Sequence, residues 1–487
     1  MRKTILKLLA LTLALLMILP VAIGCKKNEE EQVTDDTVST GDSLHPVPPQ
    51  DLGGKEFEFA TSKWAAYAPL DFVDIYVEAY TGDFVVDAAY TRNLYMESNF
   101  NCTVKQRVLE ANAVVTELEK NALAGDDAFD FALFRGSHYT ASVNGGYLAS
   151  IYNFDIDTEN SWWDANAIDT MTINGKCYAL VGDVSTNHLL ATYMTCFNKT
   201  LIENNGFDSP YTLVENGTWT LEKMVEMAKS VADDSLDGNA GEMGREDLWG
   251  IHYTCDNVPG LLTACGVKIT KKNAAGAKAL AEMVITDYTS QIQDVLKLIY
   301  DETYATDTIG RKVCKASNSD TEFFDKGQVL FLLTATHNAQ ALRNSDVEYG
   351  IVPYPKFNEE SDYIASTAGN YFAYLGIPLN NADVERSSVF LEAYAAQGQK
   401  EIRPQFYENM LLRKVGRDAE SSEMLSYIFE NLTYDIGAMF DIAGGEIRNS
   451  SATQNANVSS LVGNNRNTWK SELNDILKAY KDEEPTE

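Results

Sequence analysis

The chain has 487 residues, of which 45% are hydrophobic and 10% aromatic, 25 of them Tyr. Its 71 acidic and 39 basic residues leave a net charge of −32. A chain this acidic argues against nucleic acid and against adhesion to anionic lipid, and the length suggests two or three domains.

At the N-terminus, Arg2, Lys3 and Lys7 precede an apolar run from Leu8 to Leu19 that Pro20 ends. Val21-Ala22-Ile23-Gly24-Cys25 follows. A basic start, a short apolar core and small residues before a cut site mark a secretory leader. Gly24-Cys25 meets the added requirement of a bacterial lipobox, although Ala22 stands where Leu is usual. The apolar run is shorter than the roughly 20 residues a membrane span needs. The expectation is a leader over 1–24 and lipidation at Cys25, holding the chain at the outer face of the cell membrane by two or more acyl chains. An ordinary cleaved leader and a retained anchor are the alternatives. Residues 25–51 read as a disordered tether, with Glu29, Glu30, Glu31, Asp35 and Asp36 among Thr, Ser and Pro. Six Cys follow: Cys102, Cys177, Cys196, Cys255, Cys265 and Cys314. An even count in an exported chain permits disulfides. No CxxC or Cys/His metal spacing occurs, and buried free thiols are expected, with Cys255 and Cys265 the first pair to check.

Helix and strand signals then alternate. Phe57 and Phe59 predict a half-buried first strand. Tyr90 to Phe100 predicts a helix, Cys102 to Val108 a strand and Val114 to Leu123 a helix. Asp130 to Phe134 reads as a short buried strand opening into the polar loop Arg135-Gly136-Ser137-His138. This β-α-β-α-β order favours a layered α/β lobe. Thr220 is placed to cap a helix carrying Leu221, Met224, Val225, Ala228 and Val231 on one face. Gln328 to Thr334 is almost wholly apolar, as a centre strand covered on both faces is. Val384 to Ala396 reads as helix, and Ser421 or Ser422 as the cap of another. Trp469, Leu473, Ile476, Leu477 and Tyr480 stripe the last helix.

Several segments, in order, resemble the extracellular solute-binding proteins of carbohydrate ABC importers. These are Trp162-Trp163-Asp164 with Ile173-Asn174-Gly175-Lys176, the run Phe197-Asn198-Lys199-Thr200 to Gly206, and Gly217-Thr218-Trp219-Thr220. Further on come Phe324-Asp325-Lys326-Gly327-Gln328, Tyr349-Gly350-Ile351-Val352-Pro353-Tyr354-Pro355-Lys356, and Arg417 to Leu425, the last similar to a clostridial subgroup. The resemblance implies an α/β fold of two lobes, the type II periplasmic-binding-protein-like flytrap, with a hinge of about three crossovers near Tyr193 to Cys196, Tyr349 to Tyr354 and Lys400 to Leu412. One lobe is expected over 52–193 and 351–405, the other over 194–350 and 406–480, with a tail at 481–487. It implies capture of a small solute, an oligosaccharide above all, by a monomer that serves ABC permease subunits and performs no chemistry.

Sugar rings have apolar C–H faces and a hydroxyl rim, so their sites mix aromatic faces with placed polar groups. Trp162 and Trp163 are candidates, since neighbours on an extended stretch point to opposite sides; core packing explains the pair equally well. Trp64 and Tyr67 follow the first strand, and Arg135, Ser137 and His138 follow another, where α/β lobes present ligand loops. Asp183, Thr336, Asn370 and Tyr371 complete the set. Asp233, Ser235, Asp237 and Asn239, with Asp247 to close, resemble the start of a structural Ca²⁺ loop, but Gly244 occupies the twelfth position. A plain acidic turn is the alternative, and no other cofactor is expected. A surface sensor or adhesion lipoprotein of the same fold competes with transport. A glycosidase built on paired carboxylates is the enzymatic alternative; no GxSxG, HExxH or GxxxxGK motif occurs to support catalysis.

Overall fold

The computed structural model describes residues 47–63, 71–110, 113–241, 243–274, 276, 278–307, 321–339, 341–369, 371–407 and 419–481. The chain divides into two compact units, Met1–Leu44 and His45–Glu487. All described residues belong to the second. Cys25, Trp64, Tyr67, Cys314 and Asn370 lie outside the described residues.

The first sheet begins with β1 (Lys55–Lys63), β2 (Cys102–Glu110) and β3 (Phe131–Arg135). β1 pairs in parallel with both, Lys55 opposite Cys102 and Phe59 opposite Phe131. The second sheet takes β4 (Tyr193–Asn198), β5 (Trp249–Tyr253), β8 (Ala305–Asp307), β9 (Val329–Ala335) and β10 (Tyr349–Val352) in the order β10-β4-β9-β5-β8. A small hairpin, β6 (Thr270–Lys272) with β7 (Ala281–Met283), stands apart. The chain then returns to the first sheet as β11 (Ala373–Gly376), antiparallel to β3. Two mixed sheets, each with its own helices, form the two-lobed flytrap.

Local chemistry sets the boundaries. Asp83 caps the helix Phe84–Phe100 by accepting from Val85 and Val86 N–H. Asn101 ends it at φ 47, a left-handed turn that feeds β2 directly. Thr220 caps Leu221–Val231 through Lys223 N–H. β9 is buried at every position, as its unbroken apolar run requires. Phe57 stacks on Phe390 of the helix Val384–Gln405 at 4.0 Å between ring centres, fixing that helix to the first sheet. The same helix passes Asp183 so closely that a Cβ at Gly398 would lie 1.9 Å from the Asp183 carbonyl oxygen.

Three expectations are corrected. Arg135 to His138 is not a loop: the helix Gly136–Gly145 starts at the strand end. Ser421 lies inside the helix Ala419–Glu430 rather than at its cap position, buried, where its hydroxyl accepts from Ile351 N–H and shares a hydrogen bond with Tyr211. The crossovers are displaced as well. Tyr193–Cys196 and Tyr349–Val352 are paired strands of the second sheet, held by their ladder. The passages lie beside them, where Tyr193 N–H meets Ser366 O and Ala368 N–H meets Ala191 O. The third expected crossover, Lys400 to Leu412, falls in part outside the described residues. The last helix, Val458–Ala479, packs against both Gly136–Gly145 and Thr289–Ile299, touching helices of both lobes. The five described Cys after the tether are buried and form no disulfide with one another, Cys255 and Cys265 included. No described helix is long and apolar enough to cross a membrane.

Candidate ligand cleft

The ends of β3, β5 and β9 and the start of β11 converge on the first passage between the lobes. That passage is held by buried polar groups. Asp74 accepts from Ser185 Oγ at 2.7 Å and from Thr186 N–H at 2.7 Å. Arg92, fully buried, donates to Val184 O at 2.7 Å and lies over the Tyr394 ring at 3.6 Å. These bonds satisfy backbone that the turn would otherwise leave unpaired. They position the short helix Asn187–Leu190 in front of β3.

Arg135 meets it there. One guanidinium nitrogen donates to Asn187 Oδ1 at 2.7 Å, another to Tyr371 O, and the plane lies 4.9 Å from the Phe72 ring centre. Burial works against its charge while Asp71 and Asp74 support it, and a guanidinium stays cationic near neutrality. Tyr371 continues the chain of contacts: its hydroxyl donates to Asp256 Oδ2 at 2.8 Å, just beyond β5. Arg448 stands 3.5 Å from the other Asp256 oxygen and is forked onto Asp441 at 2.8 and 2.6 Å. Tyr193 donates to Asp256 O at 2.7 Å. Beyond β9, Thr336 donates to Leu189 O, and the His337 ring sits edge-on to Tyr371 at 5.8 Å. Burial is the main cause holding His337 down to about 4, so the ring is neutral at physiological pH.

Arg135, Thr336 and Tyr371 are therefore brought together, with His138 near them on the first turn of Gly136–Gly145, where burial lowers its pKa. Ser137 lies on that turn too. Trp162, Trp163 and Asp183 form a different group. The two indoles do not point to opposite sides: each is 5% exposed, and both N–H groups converge on Glu392, at 2.7 and 3.3 Å. Asp157 N–H and Asn160 Nδ2 complete that carboxylate's four donors. Asp183 is buried and pairs with Arg403 at 3.1 Å.

Asn187, Asp256 and Arg448 were not singled out in the sequence. Asp256 was findable, because it follows β5 as Arg135 follows β3; the strand itself gave no alternating signal, being buried at all five positions.

The acidic loop is closed on itself. Asp233 accepts from Ser235 N–H and Oγ, Asp237 from Asn239 N–H, and Asp247 from Asp237 and Gly244 N–H at 3.0 and 2.6 Å. Among the described residues no three His, Cys, Asp or Glu side chains converge to hold a metal.

No family model matches the sequence, and no curated protein matches it either. Solved structures do match in shape. One is the sugar transporter from Rhizobium etli in an open conformation, 14% identical, covering 88% of this chain and 100% of its own, TM-score 0.52. The GacH receptor of Streptomyces glaucescens, solved unliganded and with acarbose, is 14% identical over 88% of this chain and 99% of its own, TM-score 0.53. An ABC substrate-binding protein from Listeria monocytogenes in complex with cycloalternan is 13% identical over 87% and 98%, TM-score 0.52. These likenesses define the class by fold: this chain has the two-lobed architecture of the solute-binding proteins.

Proposed function

We propose that the chain captures a small polar solute, an oligosaccharide by preference, and delivers it to an ABC permease by closure of its lobes. In this reading Cys25 carries the lipid anchor and the body works at the outer face of the cell membrane. One observation supports it above others: Arg135, Tyr371 and Asp256 form a continuous chain of hydrogen bonds from the first lobe to the second at the strand ends. A solute seated there touches both lobes only when they are together, and that difference in contact is what shifts an open-closed equilibrium. The surrounding groups suit a sugar, with the Tyr371 and His337 rings beside carboxylate and guanidinium partners. The structural neighbours bound to acarbose and cycloalternan point to the same ligand class.

A thermal-shift screen of the full chain against a sugar panel tests the reading. A sugar at a hundredfold its Kd adds about 2.7 kcal/mol of stability. No shift with any sugar, beside a clear shift with peptides, retires the carbohydrate assignment.

A further inference from the structure

A second recess lies on the other side of Asn187–Leu190, away from Arg135. It encloses about 230 Å³. The first lobe contributes Trp163, Asp164, Asp183, His188 and Arg403, and the second contributes Glu430. Its polar groups are unequal in kind. His188 is buried, and its Nδ1 lies 2.8 Å from Ser185 O. A carbonyl only accepts, so Nδ1 carries the hydrogen and Nε2 is left as a lone pair. Burial keeps the ring neutral.

Asp183 is 1% exposed at its side chain. Oδ2 takes Arg403, and the buried Oδ1 makes no hydrogen bond. The nearby Gln399 amide donates instead to Ser161 O at 2.6 Å. Asp164 already accepts from Tyr434. The recess thus holds three carboxylates against one guanidinium, with one buried acceptor, Asp183 Oδ1, awaiting a donor and a lone pair on His188 Nε2. An unpaired buried acceptor is costly, because it gives up its hydrogen bonds to water. A bound group that supplies N–H donors and positive charge removes that cost, and its carbon end would rest against the Trp163 ring. A metal ion needs more, since no three His, Cys, Asp or Glu side chains converge among the described residues.

We infer that this recess is a binding site for a small organic primary ammonium, with Asp183 Oδ1 and His188 Nε2 as its acceptors and Glu430 at its mouth. The site is separate from the strand-end cleft and does not rest on the ligand proposed for it. An ammonium carries three donors on one charged nitrogen, which matches the buried Asp183 Oδ1, the His188 Nε2 lone pair and a rim carboxylate.

Calorimetry on the full chain with ethylammonium chloride tests it, with tetramethylammonium chloride at equal ionic strength as the control. Saturable heat is expected for ethylammonium and none for tetramethylammonium, which has the charge but no N–H. Glu430 is exposed, so Glu430→Gln leaves the fold intact; it should weaken ethylammonium by up to about fivefold, the scale of a rim ion pair. His188→Phe, which removes the Nε2 acceptor, should abolish the heat while circular dichroism confirms folding. Absence of heat from ethylammonium, equal heat from tetramethylammonium, or undiminished heat in the folded His188→Phe variant each overturns the site.

Discussion

Tyr371 donates its hydroxyl hydrogen to Asp256 Oδ2 at 2.8 Å, and this bond ties the passage between the lobes to the end of a strand in the second lobe. Tyr371 is also held from behind, its carbonyl accepting from Arg135. The side chain therefore reaches across from a fixed backbone. Tyr371→Phe keeps the ring and its edge contact with His337 but removes the bridge. Asp256 retains Arg448, so the fold should persist. A lost hydrogen bond of about 1 kcal/mol should weaken the best sugar of the screen about fivefold, read by titration calorimetry. Unchanged affinity would mean that the bridge has no part in closure.

His337 gives a pH dependence. Burial holds its pKa near 4 in the folded chain, against about 6.5 for a free His. Between those values the unfolded chain binds a proton that the folded chain does not. Stability from this group is fully present above pH 6.5 and is lost as pH falls toward 4. The loss is on the order of a few kcal/mol. Urea unfolding from pH 7 to 4.5 should show the parent losing stability relative to His337→Gln, with the two curves most separated at pH 7. Parallel curves would show that His337 is accessible to protons in the folded state.

The sheets were largely legible because their strands carry strong signals. Phe57 and Phe59 alternate, and Val329 to Leu333 is unbroken apolar sequence; both became buried strands. Arg135 was singled out by the rule that ligand groups follow strand ends, and Tyr371 by its place beyond the expected crossover. For Trp162 and Trp163 the sequence leaves cleft-facing and core packing open, and both indoles are buried. The alternation of an extended chain fixes where Cβ atoms point, whereas Glu392, some 230 residues later, decides where the indole N–H groups go. Asp256 was missed for a related reason: Trp249 to Tyr253 is buried throughout, and a five-residue apolar run with His252 inside has no period to read.

The acidic loop should behave as a hydrogen-bonded turn. Asp247 is fully buried and accepts two N–H groups of its own loop. Asp247→Ala strands both donors and should cost about 1–3 kcal/mol, measured by urea unfolding. Calcium added to the parent should produce no saturable heat, because Asp233, Asp237 and Asp247 are already engaged. Saturable heat that disappears in Asp237→Ala would restore the loop as a cation site.

Gly398 tests how tightly the helix Val384–Gln405 is held against the backbone at Asp183. Its helix carries Arg403 to Asp183, but the approach is closest at Gly398, where a Cβ would meet the Asp183 carbonyl oxygen at 1.9 Å and its carbon at 3.0 Å. Both are backbone atoms, so no side-chain rotation relieves the contact. An Ala in a solvent-facing helix interior normally gains about 1 kcal/mol over Gly. Here Gly398→Ala should instead lose about 1–3 kcal/mol, as overpacking does. Arg403→Lys separates packing from charge, since it keeps the cation beside Asp183 and leaves the helix approach untouched; its loss should be the smaller of the two. Chemical denaturation of both variants decides it, and a stabilised Gly398→Ala would show that the helix and the Asp183 backbone stand further apart in solution.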